Sequence, residues 1–295
     1  MLDATPQPAL VAQPAPRVSV ARLVIARSVD EVAAILPRLF NLCRSAQSAA
    51  VEAALGRPVD EAGIAQEILR DHLVKFHITW PAFFGCPPCP LPDGWADGGS
   101  ALRQAVFGPS GAPPATAADF FAFLDSGAGC AWILKKIDGC FATGEAVADG
   151  LDLVTPETMW SSAAIENSVA ARVAHVPAMK GIEQDCGRGP LWRAAARLYD
   201  LEHVLSGALP PVLSLAPGEA VVPAARGIYG VRIATRGTQV AAFDRVTPTD
   251  HLLAEDGVLD RALASLPAHK AALGPLLLDI LDPCSPVRLR EAKHA

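Results

Sequence analysis

The sequence predicts an α+β fold that is mainly helical: a helical bundle carrying a small antiparallel sheet. Two patterns predict it. Apolar residues recur at three- and four-residue spacing along much of the chain, with capping and stopping residues at the ends of the runs. The period shortens to alternation in only two places, near the N-terminus and around residues 228–246. Hydrophobic residues make up 51% of the 295-residue chain and charged residues 19%, enough to bury a sizeable core. No internal repeat and no composition break divides the folded part. Residues 1–16, rich in Pro and Ala, read as a disordered tail, which leaves residues 17–295 as one domain.

In chain order, Val18 to Ala26 alternates with β-branched residues and reads as a strand. It is expected to pair with the later hairpin, because two strands alone are marginal. Ser28-Val-Asp-Glu31 is a capping box, followed by a short helix interrupted at Pro37. A second helix is expected over about Arg38 to Leu55, closed by Gly56 and Pro58. Its stripe of Leu39, Cys43, Ala46, Ala50 and Ala53 or Ala54 is mostly small, so another backbone can approach it. Asp60 caps a helix over Glu61 to Ile78 that ends at Trp80-Pro81. Phe83 to Pro114 reads as loop. Thr116 and Asp119 cap a helix through about Leu124, and Cys130 to Ile137 forms another. Thr155-Pro156 opens a segment expected to be helical to about Ala174. Gly189-Pro190 starts a helix that ends before Gly207, with Leu191, Ala195, Leu198, Leu201 and Leu205 inward. Ile228 to Ala234 and Gln239 to Val246 form a hairpin with Gly237 in its turn. Helices return over Val258 to Leu266 and Ala268 to Leu281. There Asp282 precedes a proline and stops the run.

The net charge of −6 argues against phosphate-backbone binding, and no apolar run reaches the ~18 residues that span a bilayer. Neither nucleic acid nor membrane is an expected partner. The N-terminus lacks the basic and apolar regions of a signal peptide, so the expected compartment is the cytoplasm, where thiols stay reduced. Seven irregularly spaced cysteines do not read as a disulfide framework.

Cys86-Pro-Pro-Cys89 is the one C-x-x-C, but no second ligand pair accompanies it and no strand-helix context suits a redox dithiol. His72 and His77 are five apart and do not share a helical face. His72 reads as a core or groove histidine. Glu202 and His203 sit on what reads as a solvated helix face. No phosphate-binding glycine loop or nucleophile elbow occurs.

Two motifs at opposite ends of the chain carry more information. Leu39-Phe40-Asn-Leu-Cys43-Arg-Ser-Ala-Gln47 resembles the N-terminal R-x-C-G-x-C-x-x-x-H motif of nickel-iron hydrogenase large subunits. Phe40 stands at the first cysteine, Cys43 at the second and Gln47 at the histidine. Asp282-Pro-Cys284-Ser-Pro-Val287-Arg-Leu-Arg290 resembles the closing D-P-C-x-x-C-x-x-H motif, with Val287 at the second cysteine and Arg290 at the histidine. Between them, Ala225-Arg226-Gly227 resembles the P-R-G hairpin, and Pro248-Thr249 the P-[ST]-T loop. In that family the arginine and the hydroxyl approach the cyanide ligands of the iron.

The resemblance implies a shortened large-subunit fold with half of the four metal thiolates lost, including one at a bridging position. Such a site is not expected to hold nickel. The pattern is similar to the HupK/HoxV group of hydrogenase maturation proteins. By that resemblance the chain is a non-catalytic scaffold for the Fe(CN)2CO unit. Cys43 and Cys284 are then the metal ligands, and Arg226 and Thr249 contact the cyanides. The implied partners are the large-subunit precursor, a HypC-like chaperone and the proteins that assemble cyanide and CO. Cys43 and Cys284 are expected to lie close together, and Arg226 to face them and lower their thiol pKa values. Its alternative is a salt bridge to a carboxylate such as Asp282. Other readings stay open: a metal-free large-subunit mimic that docks maturation factors, or a redox or thiol enzyme using Cys86 and Cys89.

Overall fold

The structure is a computed structural model that describes residues 9–16, 19–39 and 42–292. Strand β1 (Leu10–Pro14) is the first element among the described residues and is followed by helices α1 (Val20–Val24), α2 (Val29–Leu39), α3 (Arg44–Ala54) and α4 (Glu61–Val74). A π-helical turn over Lys75–Thr79 runs on into α5 (Trp80–Phe83). Next come α6 (Gly99–Phe107), α7 (Ala117–Ser126), α8 (Ala131–Asp138), α9 (Val169–Val173), α10 (Pro177–Cys186) and α11 (Pro190–Leu205). Strands β2 (Leu213–Ala216), β3 (Glu219–Ala224), β4 (Gly227–Arg236) and β5 (Gln239–Val246) follow in sequence. The chain closes with α12 (Pro248–Leu252), α13 (Val258–Ala264), α14 (Gly274–Leu281) and β6 (Val287–Glu291).

Strands β2 to β5 form an antiparallel meander in chain order. Strands β4 and β5 pair from Gly230↔Val246 to Arg236↔Gln239, and Gly237, at φ +60°, makes the turn between them. The alanine stripe of α3 (Ala46, Ala49, Ala50, Ala53) is buried together with Val222, Ala224, Val231 and Ile233 of the sheet. Small side chains there let helix and sheet backbones approach. A second, larger core gathers α4 to α11 with α13 and α14 around Trp80, Phe107, Phe120 and Trp192. No helix among the described residues is long and apolar enough to cross a membrane. The apolar pair α7 and α8 is bent by 102° and contributes Phe120, Leu124, Ile133 and Ile137 to the core.

Several expected elements differ. The stretch expected as a strand over Val18 to Ala26 is helix α1 where it is described; Val18 lies outside the described residues. Val20 and Val24 are buried while Leu23 and Ile25 are 40% and 46% exposed, so the working period is four, not two. Only the residues after α1 run beside the hairpin. There Ala26 N–H donates to Val240 O, and Val240 N–H to Arg27 O.

Pro37 does not interrupt α2; it lies inside it and forfeits one ladder bond near the end. The helix expected from Arg38 begins only at Arg44, with Cys43 as its N-cap. The helix from Glu61 passes Trp80-Pro81 and ends at Phe83, since proline is tolerated in a first turn. The expected loop over Phe83 to Pro114 contains α6. Of the segment from Thr155 to Ala174 only α9 is helical; Asn167 instead mimics a strand partner, accepting from Ile228 N–H and donating to Ile228 O.

The expected tail is folded over part of its length. Strand β1 pairs antiparallel with β6, from Leu10↔Glu291 to Pro14↔Val287, and Leu10 is buried in the larger core. The first eight residues lie outside the described ones.

Candidate functional site

Three segments distant in sequence meet at one cavity. The first is the N-terminus of α3. Cys43 precedes it in left-handed backbone, φ 53° and ψ 43°. The exposed N–H groups of the first turn are taken by Glu67 of α4, which accepts from Ser45 and Ala46 at 2.8 and 3.3 Å. Gln47 follows one turn later. Its Nε2 donates to Leu42 O, while its Oε1 is buried with no partner among the described residues.

The second segment is the turn between β3 and β4, which carries Arg226. Arg172 of α9 clamps that turn by donating from Nη1 to Ala224 O and Gly227 O at 3.0 and 2.7 Å. Gly227 has φ +147°, and a Cβ there would stand 2.6 Å from Asn167 O, so a larger residue would push the turn away.

The third segment joins α12 to the end of α14. Thr247 and Asp250 form a capping box around Pro248 at the first position of α12. Thr249 Oγ1 accepts from the backbone N–H of Cys284 at 2.7 Å. That bond ties the middle motif to the C-terminal one and leaves the hydroxyl proton of Thr249 free to donate.

Cys43, Cys284, Arg226 and Thr249 all line a cavity of about 380 Å³, with Gln47, Tyr229 and the Pro14–Pro16 strap at its edge. The sequence-predicted set is therefore brought together. Phe40, at the first cysteine of the N-terminal motif, lies outside the described residues. Cys86 and Cys89 do not line this cavity, and both are free thiols. Glu202 is not simply solvated, because it binds Arg103 through both oxygens. Among the described residues no three His, Cys, Asp or Glu side chains are grouped to hold a metal ion.

Arg226 is held on several sides. Nη1 donates to Cys43 Sγ at 3.3 Å and to Asp71 Oδ2 at 2.9 Å. Nε lies 3.1 Å from Asp282 Oδ2, at ion-pairing distance but out of line for a hydrogen bond. The guanidinium's hydrogen bonds to described residues are those of Nη1, and Nη2 and Nε are the donors left for a ligand. The guanidinium thus faces the cysteine and is salt-bridged to carboxylates, the two outcomes the sequence had set against each other.

At the Cys43 thiol, burial outweighs the downward pull expected of Arg226. Burial pushes that thiol up to about 12; Arg226 pulls it down, but Glu67 and Asp71 oppose the pull. Burial likewise pushes the Tyr229 phenol up to about 12.

Behind Arg226 runs a buried ionic seam that the sequence reading missed. Asp282 receives Arg197 at 2.7 Å and Lys75 at 3.0 Å in addition to Arg226. Burial opposes its ionisation, yet these cations hold it well below the usual carboxylate range. Arg197 also donates to His72 Nδ1, and His72 Nε2 stands 2.7 Å from Asp200. Since a guanidinium can only donate, Nδ1 is the acceptor and the proton sits on Nε2. Burial lowers the His72 pKa, so the core histidine expected from the sequence is neutral. Arg172 closes the seam with two bonds to Asp200, at 2.8 and 2.6 Å. The signal available was Arg193, Arg197 and Asp200 at i, i+4 and i+7, a charged stripe on a helix read only for its apolar face.

No protein-family model matches the chain. In fold it is similar to the nickel-iron-selenium hydrogenase of Desulfovibrio vulgaris Hildenborough. The G491S variant gives a TM-score of 0.55 at 13% identity, with 92% of each chain covered. The as-isolated oxidised form gives 0.54 at 11% identity, with 91% of each covered. That likeness is one of fold, and it is the mainly helical large-subunit architecture implied by the two terminal motifs. In sequence the chain is 47% identical over 276 residues to the hydrogenase expression/formation protein HupK of Rhodobacter capsulatus, covering 94% of this chain and 91% of that one. The chain belongs to the HupK family of hydrogenase expression/formation proteins.

Proposed function

We propose that the protein is a non-catalytic scaffold that holds the Fe(CN)2CO unit during hydrogenase maturation, with Cys43 and Cys284 as its thiolate ligands. The observation that carries this reading is the convergence of three distant segments, cross-linked by the Arg226–Cys43 and Cys284–Thr249 hydrogen bonds, around one cavity. On loading, two Fe–S bonds form as the thiols release their protons. On transfer those bonds break as thiolates of the acceptor replace them, with no change in iron oxidation state. A buried thiol with a high pKa suits such a carrier, because proton return favours release. Arg226 Nη2 and the Thr249 hydroxyl are the donors we assign to the cyanide nitrogens. The partners we assign are the large-subunit precursor, a HypC-like chaperone and the proteins that assemble cyanide and CO, all in the cytoplasm. Nickel has no place in this reading.

One observation favours a second reading, a metal-free mimic that docks maturation factors. Arg226 is already paired with Asp71 and Asp282, so its burial alone does not call for an anionic cargo. Anaerobic purification from a cell carrying the maturation machinery, with iron and infrared analysis, separates the two. The scaffold gives close to one iron per chain with cyanide and CO bands, and loses both in Cys43→Ser and Cys284→Ser. Arg226→Lys keeps the fold but retains roughly tenfold less cargo, the equivalent of one charge-assisted hydrogen bond. Iron-free wild-type protein that still binds the precursor leaves the mimic standing.

A further inference from the structure

A second cavity borders the cysteine site without belonging to it. It measures about 20 Å³ and is lined by Arg193, Arg197, Arg226, Glu166, Asp282 and Thr249 among other buried residues. That is room for one water-sized species. Neither cysteine of the site lines it; Arg226 and Thr249 form the partition with the larger cavity.

The charge around it is uneven, with three guanidiniums facing two carboxylates. Glu166 is taken up by both terminal nitrogens of Arg193, at 2.9 and 2.6 Å. Asp282 is shared by Arg197, Arg226 and Lys75. Asp71 and Asp279 add negative charge to the wider seam, but from its solvent-side ends, 20% and 25% exposed, and neither lines the cavity. Arg193 supplies the second observation. Its side chain is 3% exposed, and its Nε is buried with no partner among the described residues. A buried N–H of this kind calls for an acceptor, and a cavity rich in guanidinium favours a charged one.

We propose that this cavity binds a small monovalent anion of one or two heavy atoms, held by Arg193 together with Arg197 and Arg226. The anion sits on the far side of Arg226 from Cys43 and adds a fixed countercharge that braces the guanidinium. Water fills the volume equally well and supplies an acceptor, but it leaves the local charge as it is. The site does not depend on an iron cargo.

The test uses the full chain crystallised with sodium bromide in place of chloride, with diffraction recorded at the bromine edge. One anomalous peak between Arg193 and Arg226 is expected. In solution, bromide is titrated against glutamate, which is too large for the cavity, at constant ionic strength. Bromide is expected to raise the melting temperature saturably, by about 2 °C or more. Arg193→Lys, which keeps the charge but loses Nε–H, is expected to abolish the rise. The Cys43→Ser, Cys284→Ser double variant is expected to keep it, so failure of the iron reading leaves this one intact. A cavity holding only water in the bromide crystal, or a melting temperature indifferent to the anion, overturns the proposal. Should the Arg193 variant not fold, the wild-type map and titration decide alone.

Discussion

Helix α11 is buried on two sides that are built differently. One side sets Leu191, Ala195, Leu198 and Leu201 into the large apolar core. The other sets Arg193, Arg197 and Asp200 into the ionic seam with Glu166, His72, Arg172 and Asp282. The apolar side stabilises through area and volume, and each residue contributes by itself. On the ionic side the charges depend on one another: without Arg193, Glu166 is buried with no cation, and without Asp200, Arg172 loses its carboxylate. The first side is graded; the second is all of a piece, and the site hangs from it, because Arg172 clamps the turn of Arg226 and Asp282 flanks its guanidinium.

The largest expected effect breaks the ionic side. Asp200→Ala leaves Arg172 and His72 without their carboxylate and is expected to cost about 3–5 kcal/mol. Asp200→Leu combined with Arg172→Met is expected to cost less than the sum of its single changes, though Ala224 O and Gly227 O then lose their donor. Urea denaturation of the four proteins measures the coupling; strict additivity would mean that the seam is not interdependent.

On the apolar side, Leu198→Ala is expected to cost about 3 kcal/mol. Leu36 lies in the other core, so Leu36→Ala is expected to add to it within about 0.5 kcal/mol. A larger deviation would show that the two cores are not separate.

Acid sharpens the contrast. Asp200, Asp282 and Glu166 all have pKa values depressed by their cations against the opposing effect of burial. The unfolded chain therefore binds protons first as pH falls, and stability is lost below the ordinary carboxyl range of about 4. His72 is also lowered in the folded protein, so a smaller loss begins below about pH 6.5, at most about 1.4 kcal/mol per pH unit. Melting temperatures from pH 8 to about 2 check this. Leu198→Ala should shift the whole curve down without changing its shape.

The smallest effect is at the surface. Arg57 pairs with Asp30 and Glu52, but it is 34% and Asp30 81% exposed. Arg57→Ala is expected to change stability by about 0.5 kcal/mol or less. A cost comparable to Asp200→Ala would mean that ion pairing, not its burial, sets the seam apart.

The same contrast marks what was legible in the sequence. The apolar stripe of α11, the β4–β5 hairpin and the caps at Ser28, Asp60 and Thr116 are local patterns, and they were readable. Strands β1 and β6 pair across almost the whole chain, and nothing near either announces the other. The cavity residues Cys43, Cys284, Arg226 and Thr249 were found because motifs carried them. Asp71, Lys75 and Arg197 were missed because each finds its partner 85 or more residues away. Asp282 was read as a helix stop, which its left-handed backbone bears out, and as a carboxylate for Arg226, but not as one shared with Arg197 and Lys75.

Cys43 and Asp282 share one further property: both have φ +53°, a conformation in which a side chain costs about 1–2 kcal/mol. Glycine would relieve that cost at either position. Cys43→Gly thus removes the thiol and relaxes the backbone at once. In a selection for thermal tolerance alone, glycine at 43 is a change the chain is poised to accept, and its appearance there would trade the proposed thiolate ligand for stability.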